Sequence, residues 1–445
     1  MNAVNEICAK VRAAGVVGAG GAGFPTHVKL AAKADICIVN GAECEPMLRA
    51  DQQLAASQPQ LLVRGLEHAM AATGAAEGII ALKAKYKTAI KALEPLLTPR
   101  MRLAILRDVY PAGDEVITIW LTTGRRVPPG GIPPQIGVVV NNIQTLINVA
   151  KAMDGEAVTT RTLTVTGAVR QPVTVTVPIG TPLAEVLALA GGPTCESAAF
   201  IEGGPVMGQV VSDINRPVTK TTGGLIALPA DHLAITGKQK PLAAILRIAK
   251  LVCEQCCYCT ELCPRHIIGH ELPPHLIVRA MSHNRLGEPA VVRSALTCSE
   301  CGVCELYACP VGISPKRVNM ALKSELRAKG VRYEGTLGKA DPMAEHRLIP
   351  SARLVSRLGL GPWYPPEAPL HPGVYAPARV VIPLKQHAGA PAIPVVQAGD
   401  SVACGQLVAD LADGELGARL HASIDGQVAE ITPQAIIISK GGGRR

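Results

Sequence analysis

Aromatic residues are scarce in this chain: two tryptophans, two phenylalanines and seven tyrosines in 445 residues. A surface that stacks nucleic-acid bases needs more of them. The 44 basic residues are also interspersed with 35 acidic ones rather than gathered into runs. The net charge of +9 and the isoelectric point near 8.9 therefore read as a solvated surface, and no nucleic-acid partner is expected. Long apolar runs are missing too. Stretches such as 138–140 and 225–228 fall far short of the ~18 apolar residues a membrane helix requires, so no membrane insertion is expected. No cleavable signal peptide is seen, so a reducing cytoplasm is expected. There its fourteen cysteines are metal ligands more readily than disulfides.

What the sequence does have is length and small apolar residues. A chain of 445 residues is divided most simply into two to four domains, and the mean hydropathy of +0.25 comes from alanine and valine suited to cores. Residues 1–155 alternate helix-like stretches, with Val4, Ile7, Cys8 and Val11 at helical spacing, and strand-like ones such as 36–39. That pattern predicts an α/β domain. Residues 156–235 change to a two-residue period, with Leu163 and Val165, then Val173, Val175 and Val177, about a turn at 167–172. A small β-rich domain is expected there. Residues 240–328 carry cysteine runs between helices predicted at Leu242–Val252 and Pro315–Ala328. Prolines 362, 365, 366, 369 and 372 mark 329–375 as a linker or wrapping arm, and 376–445 read as a final domain of short strands turning at Gly399 and Gly405.

Cys253, Cys256, Cys259 and Cys263 followed by Pro264 reproduce the C-x2-C-x2-C-x3-C-P run of two-cluster ferredoxins. Cys298, Cys301, Cys304 and Cys309 followed by Pro310 nearly repeat it, with one extra residue before the last cysteine. Three thiolates two residues apart let a short loop wrap a 4Fe-4S cubane with its amides aimed at the sulfurs, and in such proteins the fourth cysteine of each run crosses to the other cluster. One cluster is thus expected on Cys253, Cys256, Cys259 and Cys309, the other on Cys298, Cys301, Cys304 and Cys263. A structural zinc site has no need of the third cysteine and trailing proline. Cys257 offers a shifted register and is read as a spare. Cys8, Cys37, Cys44, Cys195 and Cys404 are read as isolated core or surface residues.

Gly18, Gly20 and Gly23 satisfy G-x-G-x-x-G, but the dinucleotide fingerprint must follow a strand and residues 3–14 have helical spacing. An ordinary tight turn and a loop offering amides to a phosphate, with Lys29 adding charge, both fit. Gly18-Ala-Gly-Gly-Ala-Gly-Phe-Pro-Thr26 with Lys29 resembles the flavin loop of the NADH-oxidising flavoprotein subunit of respiratory complex I and of its ion-pumping Rnf relative. Three further segments agree in order: Asn40-Gly-Ala-Glu-Cys-Glu-Pro46, Tyr110-Pro-Ala-Gly-Asp-Glu115 and Asn141-Asn-Ile-Gln-Thr145. The resemblance implies that FMN is held by the loop (Gly18, Gly20, Gly21, Gly23 and Phe24), Lys29, Asn40, Tyr110, Asn141, Asn142 and Thr145. It also implies that Glu43, Glu45, Asp114 and Glu115 line a flavin and NADH pocket. Ala42 and Asp114 depart from the family's acidic and glutamate positions.

The β-rich segment resembles the soluble-ligand-binding β-grasp domain of that family, and the last domain its lipoyl-like barrel sandwich, here without a lipoyl-lysine motif. The whole is expected as a complex I flavoprotein-like α/β domain, a β-grasp domain, a helical two-cluster ferredoxin-like domain and a C-terminal barrel sandwich. This order resembles the cobalamin reductases of propanediol-utilisation microcompartments. It implies NADH-dependent reduction of cob(III)alamin to cob(II)alamin and cob(I)alamin, an adenosyltransferase and a shell protein as partners, and a place inside the compartment. Two alternatives stand beside it: an Rnf-like electron-input subunit, whose barrel sandwich would be expected first, and a cluster-bearing protein that docks a shell. The 4–11 stretch is read as the first helix of its own domain, with a cargo tag as the alternative. Nothing resembles the D-x-H-x-x-G run that ligates cobalt in base-off cobalamin proteins, and His266, His270 and His283 are read as ordinary surface or core residues.

Overall fold

The computed structural model describes residues 3–284, 289–365 and 367–440. Its first domain is built on a parallel sheet in the order Met101–Leu106, Glu77–Lys83, Ile36–Gly41, Val138–Asn142. Successive strand residues point to opposite faces, and here both faces are apolar. Cys37 and Val39 join one core with Leu62, Leu66 and Leu146, while Ile36 and Ile38 join another with Ile117 and Ile119. A parallel sheet covered on both faces demands such a pattern. The helix Ala3–Ala13 buries Ile7 and Val11 in the first of these cores, so its apolar stripe is occupied within the domain. At Gly65 the helix Pro59–Thr73 lies directly against the Leu146 carbonyl, where a Cβ has no room. That close approach seats the helix Ile143–Met153, and with it Asn142 and Thr145, against the glycine loop.

The second core is shared. Ile267 and Ile268 of the cysteine-bearing domain and Leu348 of the 329–375 segment pack with Ile36, Ile38 and Val140. The far face of the flavin-type sheet is thus a wall of the cysteine domain, which forms its own core around Ile245, Ile277, Val318 and Leu322. Its helices Leu242–Val252 and Pro315–Ala328 coincide with the expected ones.

Strands Thr160–Gly167 and Val173–Pro178 pair antiparallel and bury Leu163, Val165, Val175 and Val177. The apolar stretch at 225–228 lies in Gly224–Pro229, a central strand of the same six-stranded sheet. Segment 329–375 does more than link. Ile349–Pro350 pairs with Val109–Tyr110, and Leu370–Val374 adds a parallel edge strand to Val173–Pro178. Proline is tolerated at such an edge, where its missing N–H costs no ladder bond. Residues 379–439 form a four-stranded and a three-stranded sheet around Val380, Val408, Val428 and Ile438. Gly399 and Gly405 turn with φ of +96° and +89°. No helix among the described residues is long and apolar enough to cross a membrane.

Three domains meet at Lys220. Its buried ammonium donates to the carbonyls of Gly15 (2.6 Å) and Arg419 (2.7 Å), and its amide donates to Gln386 Oε1 (2.9 Å). Burial holds this amine down to about 7. Replacing it by methionine leaves two carbonyls without donors, at about 1–3 kcal/mol each. Lys220→Met is therefore expected to lower the thermal midpoint and to speed amide exchange in Arg379–Pro383 and Ala435–Ser439, as read by exchange mass spectrometry.

Candidate redox site

Cys263, Cys298, Cys301 and Cys304 are each no more than 8% exposed, whereas Cys256 is exposed and Cys253, Cys259 and Cys309 are half-buried. Burial, then the neighbouring Cys309, Cys256 and Cys253, push the Cys259 thiol up to about 12. Burial, then chiefly Cys298, Cys301 and Cys263, push Cys304 well above the ordinary range. Cys309 thus lies near Cys259, and Cys263 near Cys301 and Cys298, which is compatible with a more exposed, outer set and a more buried, inner set sharing their fourth members across the runs. Crowded, buried thiols resist ionisation until a cation compensates them, and metal uptake then displaces their protons.

The backbone repeats with the thiols. Gln255 and Cys257 in the first loop, and Glu300 and Gly302 in the second, all have positive φ, between +53° and +77°. Successive turns of this kind aim amides inward as an anion nest, which suits sulfide and thiolate. The amides of Glu300 and Ile313 donate to the sulfurs of Cys298 (3.4 Å) and Cys309 (3.3 Å). Cys257 turns its thiol to the Gln255 carbonyl (3.2 Å). This donor set fits iron–sulfur clusters.

The glycine loop follows a helix, and the helix it enters, Thr26–Leu30, is a single short turn. It closes on itself through Gly18 N to Phe24 O (2.9 Å) and Gly23 N to Gly18 O (3.1 Å). Gly21, at φ +110°, has open space where a Cβ would stand, and Gly23 is pressed by His387 and Thr221 of two other domains. Phe24 is partly exposed. Thr145 Oγ1 accepts from Ala19 N (2.8 Å). Asn142 caps its helix at Gln144 N (2.9 Å) and donates to Asp51 (2.6 Å), while Asn141 is buried beside it. An open glycine cradle flanked by amide side chains fits a flavin phosphate.

The four carboxylates do not converge. Glu43 and Glu45 border one small cleft with Lys83 and Tyr86. Burial and the Asp51 charge raise the Glu43 carboxyl, which also accepts from the Asp51 amide (3.2 Å). Glu45 instead accepts from the amides of Val206 (2.9 Å) and Met207 (2.6 Å) in the β-grasp domain. Asp114 caps the helix Glu115–Thr123 and grips Arg265 through two bonds of 2.6 and 3.0 Å, both side chains nearly buried. Glu115 pairs with Lys29 at 2.6 Å. Asn40 holds the Gly113 carbonyl (2.7 Å), and Gly113 N donates to Cys44, which is therefore part of the site's frame rather than isolated. Fully buried Tyr110 donates its hydroxyl to the Cys301 carbonyl, so it joins the flavin-type domain to the inner thiol set. His270 is buried with its ring on the Val127 carbonyl (2.9 Å), and His266 and His283 lie at the surface.

Arg161 carried no sequence signal, being one basic residue in a strand of the next domain. It is 5% exposed, donates to the Ala19 (2.8 Å) and Thr222 (2.6 Å) carbonyls, and leaves one guanidinium nitrogen without a partner among the described residues. Burial brings it down to about 10 despite the charges of Asp51 and Glu43. A buried cation near the glycine loop therefore keeps one donor free beside the Asp51 and Glu43 carboxyls.

The chain matches four domain families: the Nuo51 FMN-binding domain over residues 11–151, the SLBB domain over 162–210, a 4Fe-4S dicluster domain over 252–314 and the RnfC barrel sandwich hybrid domain over 372–442. It is 58% identical over 438 residues to the cobalamin reductase PduS of Salmonella typhimurium, a match covering 98% of this chain and 97% of that protein. The chain belongs to the cobalamin reductase PduS family. The Citrobacter freundii member is likewise 58% identical, over 433 residues, covering 97% of this chain and 96% of its own. The Na(+)-translocating ferredoxin:NAD(+) oxidoreductase complex of Acetobacterium woodii contains a polypeptide that is 39% identical over 264 residues, covering 57% of this chain and 56% of its own. FMN and two 4Fe-4S clusters are therefore the cofactors of this PduS-type chain.

Two outcomes are expected. In reconstituted protein, Cys309→Ala and Cys256→Ala lose about four of about eight irons and leave the same residual electron paramagnetic resonance spectrum, while Cys263→Ala matches Cys298→Ala. A Cys309→Ala spectrum matching that of Cys298→Ala refutes the crossed sets. Arg161→Met, checked for folding by circular dichroism, weakens FMN binding at least ~10-fold in a fluorescence titration, as loss of a buried charge partner does.

Proposed function

We propose that this chain is an NADH-dependent cobalamin reductase. The observation that carries it is near-full-length identity to two cobalamin reductases, against coverage of 57% for the ion-translocating relative above. The tie between the flavin-type domain and the inner thiols supports the same reading. Each NADH gives up two electrons and releases one proton as NAD+ forms; these reduce two cob(III)alamin to cob(II)alamin, and a further electron per cobalt gives cob(I)alamin. When bound, FMN takes electrons as a pair and the clusters pass them singly, which joins a hydride donor to a one-electron acceptor.

The chain's own residues hold and align. The glycine loop, Lys29, Asn141, Asn142 and Thr145 would seat FMN, with Arg161 offsetting its phosphate. Glu43, beside Lys83 and Tyr86, would border the nicotinamide. The eight cysteines would hold the clusters in crossed sets. Asp114–Arg265 and Tyr110–Cys301 keep the flavin-type domain fixed on the inner set, and burial there excludes water. An adenosyltransferase consumes the cob(I)alamin product, and a microcompartment interior with a shell protein nearby houses the enzyme, on the strength of the domain-order resemblance.

With iron, sulfide and FMN restored anaerobically, NADH should bleach the flavin and cluster absorbance. Added hydroxocobalamin should then recolour it as about two cob(II)alamin form per NADH. Bleaching with cobalamin left oxidised overturns the substrate; absence of bleaching overturns the donor.

A further inference from the structure

Beside the cysteine runs the surface opens into a cleft of about 610 Å³ lined by Tyr258, Leu262, Tyr307, Pro310, Arg353 and Arg357, among others. Its lining is continuous with the cysteine runs: Tyr258 precedes Cys259, Leu262 precedes Cys263 and Pro310 follows Cys309. Arg357 also donates to the Cys309 carbonyl (3.3 Å). Exposed apolar residues occur in the lining and next to the cysteines in sequence. Tyr258 is 52% exposed, Val311 45%, and Val252, next to Cys253, 37%. Exposed apolar side chains lining a concave surface favour a ligand with a large apolar face.

The charge of the cleft is one-sided. Its Glu261 is engaged by Arg347 at 3.2 Å, whereas Arg353 and Arg357 make no ion pair among the described residues. We propose that this cleft binds the corrin substrate, an inference that rests on the cobalamin reductase reading. Cobalamin joins a broad, largely apolar macrocycle to one anionic phosphodiester. Two tyrosines and apolar surface suit the first, and a pair of guanidinium groups suits the second. Single-electron exchange demands close approach, and the inner thiols are closed to an external acceptor by their burial. Arg357 of the cleft reaches the backbone of Cys309, one of the less buried cysteines. One electron enters cobalt per cob(III)alamin, from NADH oxidation as balanced above.

The test is calorimetric binding of hydroxocobalamin and of cobinamide, which lacks the phosphodiester and nucleotide base, to the reconstituted holoprotein. The double variant Arg353→Glu/Arg357→Glu should bind hydroxocobalamin at least ~10-fold more weakly than the wild type and lose the salt dependence, with cobinamide affinity changed less than ~2-fold. Tyr258→Ser should weaken both ligands. Bleaching by NADH, read separately, shows that each variant is loaded. If the wild type binds hydroxocobalamin and both variants bind it equally well, the cleft is wrong while the reductase reading stands. An equal loss for cobinamide refutes the phosphodiester contact. If the bleached wild type neither binds nor reduces hydroxocobalamin, the reductase reading itself falls.

Discussion

Four buried thiols at the junction of two domains set the terms for the rest of this molecule. Cys263, Cys298, Cys301 and Cys304 are all buried, and burial, then the neighbouring thiols, oppose ionisation of Cys263, Cys301 and Cys304. Such an assembly is stable only with a compensating cation or with every thiol protonated. It also draws one member from a run more than thirty residues away, so the two loops cannot separate without breaking the set. The helices Leu242–Val252 and Pro315–Ala328 bracket it, and both pack into the same core.

The inner set is walled by the neighbouring domain. Ile267 and Ile268, just past Cys263, fill the far face of the flavin-type sheet, and Tyr110 reaches back to the Cys301 carbonyl. Asp114 and Arg265 complete the seam as a nearly buried ion pair. A pair of this kind adds little net stability relative to an apolar contact, because both ions lose water. Its value lies in register: Asp114 caps a helix of one domain while Arg265 follows Cys263 in the other, so a slip of either leaves a charge uncompensated. On the opposite side, Lys220, Gln386 and Ala388 close the β-grasp and barrel-sandwich domains around the base of the glycine loop.

What could be read from the sequence was whatever is encoded locally. Cysteine spacing of two residues forces a loop around a compact body. The two-residue period of Val173, Val175 and Val177 makes a half-buried strand, and both flanking cluster helices end where expected. Residues whose meaning is set by distant partners were opaque. Asp114 in isolation reads as a pocket carboxylate, and only Arg265, 151 positions on, turns it into a clamp. Arg161 has no motif, and its role arises because its strand begins beneath another domain's loop. Leu370–Val374 was hidden by its own prolines, since a strand is formed there only because Val173–Pro178 offers an edge.

The two loops share one backbone but not one environment. Gly302 of the inner loop takes its positive φ freely and lies against Val206, a residue that Glu45 also holds through its amide. At the matching place in the outer loop stands Cys257, half-exposed, whose left-handed backbone costs about 1–2 kcal/mol relative to glycine. The inner loop is thus built for close packing and the outer loop for contact with solvent. Hydrogen bonds to sulfur and exclusion of water tune a cluster's potential, so this difference separates the two sites electrostatically even though their ligands are identical. On the function proposed above, an inner site sealed against the flavin-type domain would form the donor side and an outer site nearer solvent the acceptor side. That polarity comes from packing, with no difference in ligand chemistry required.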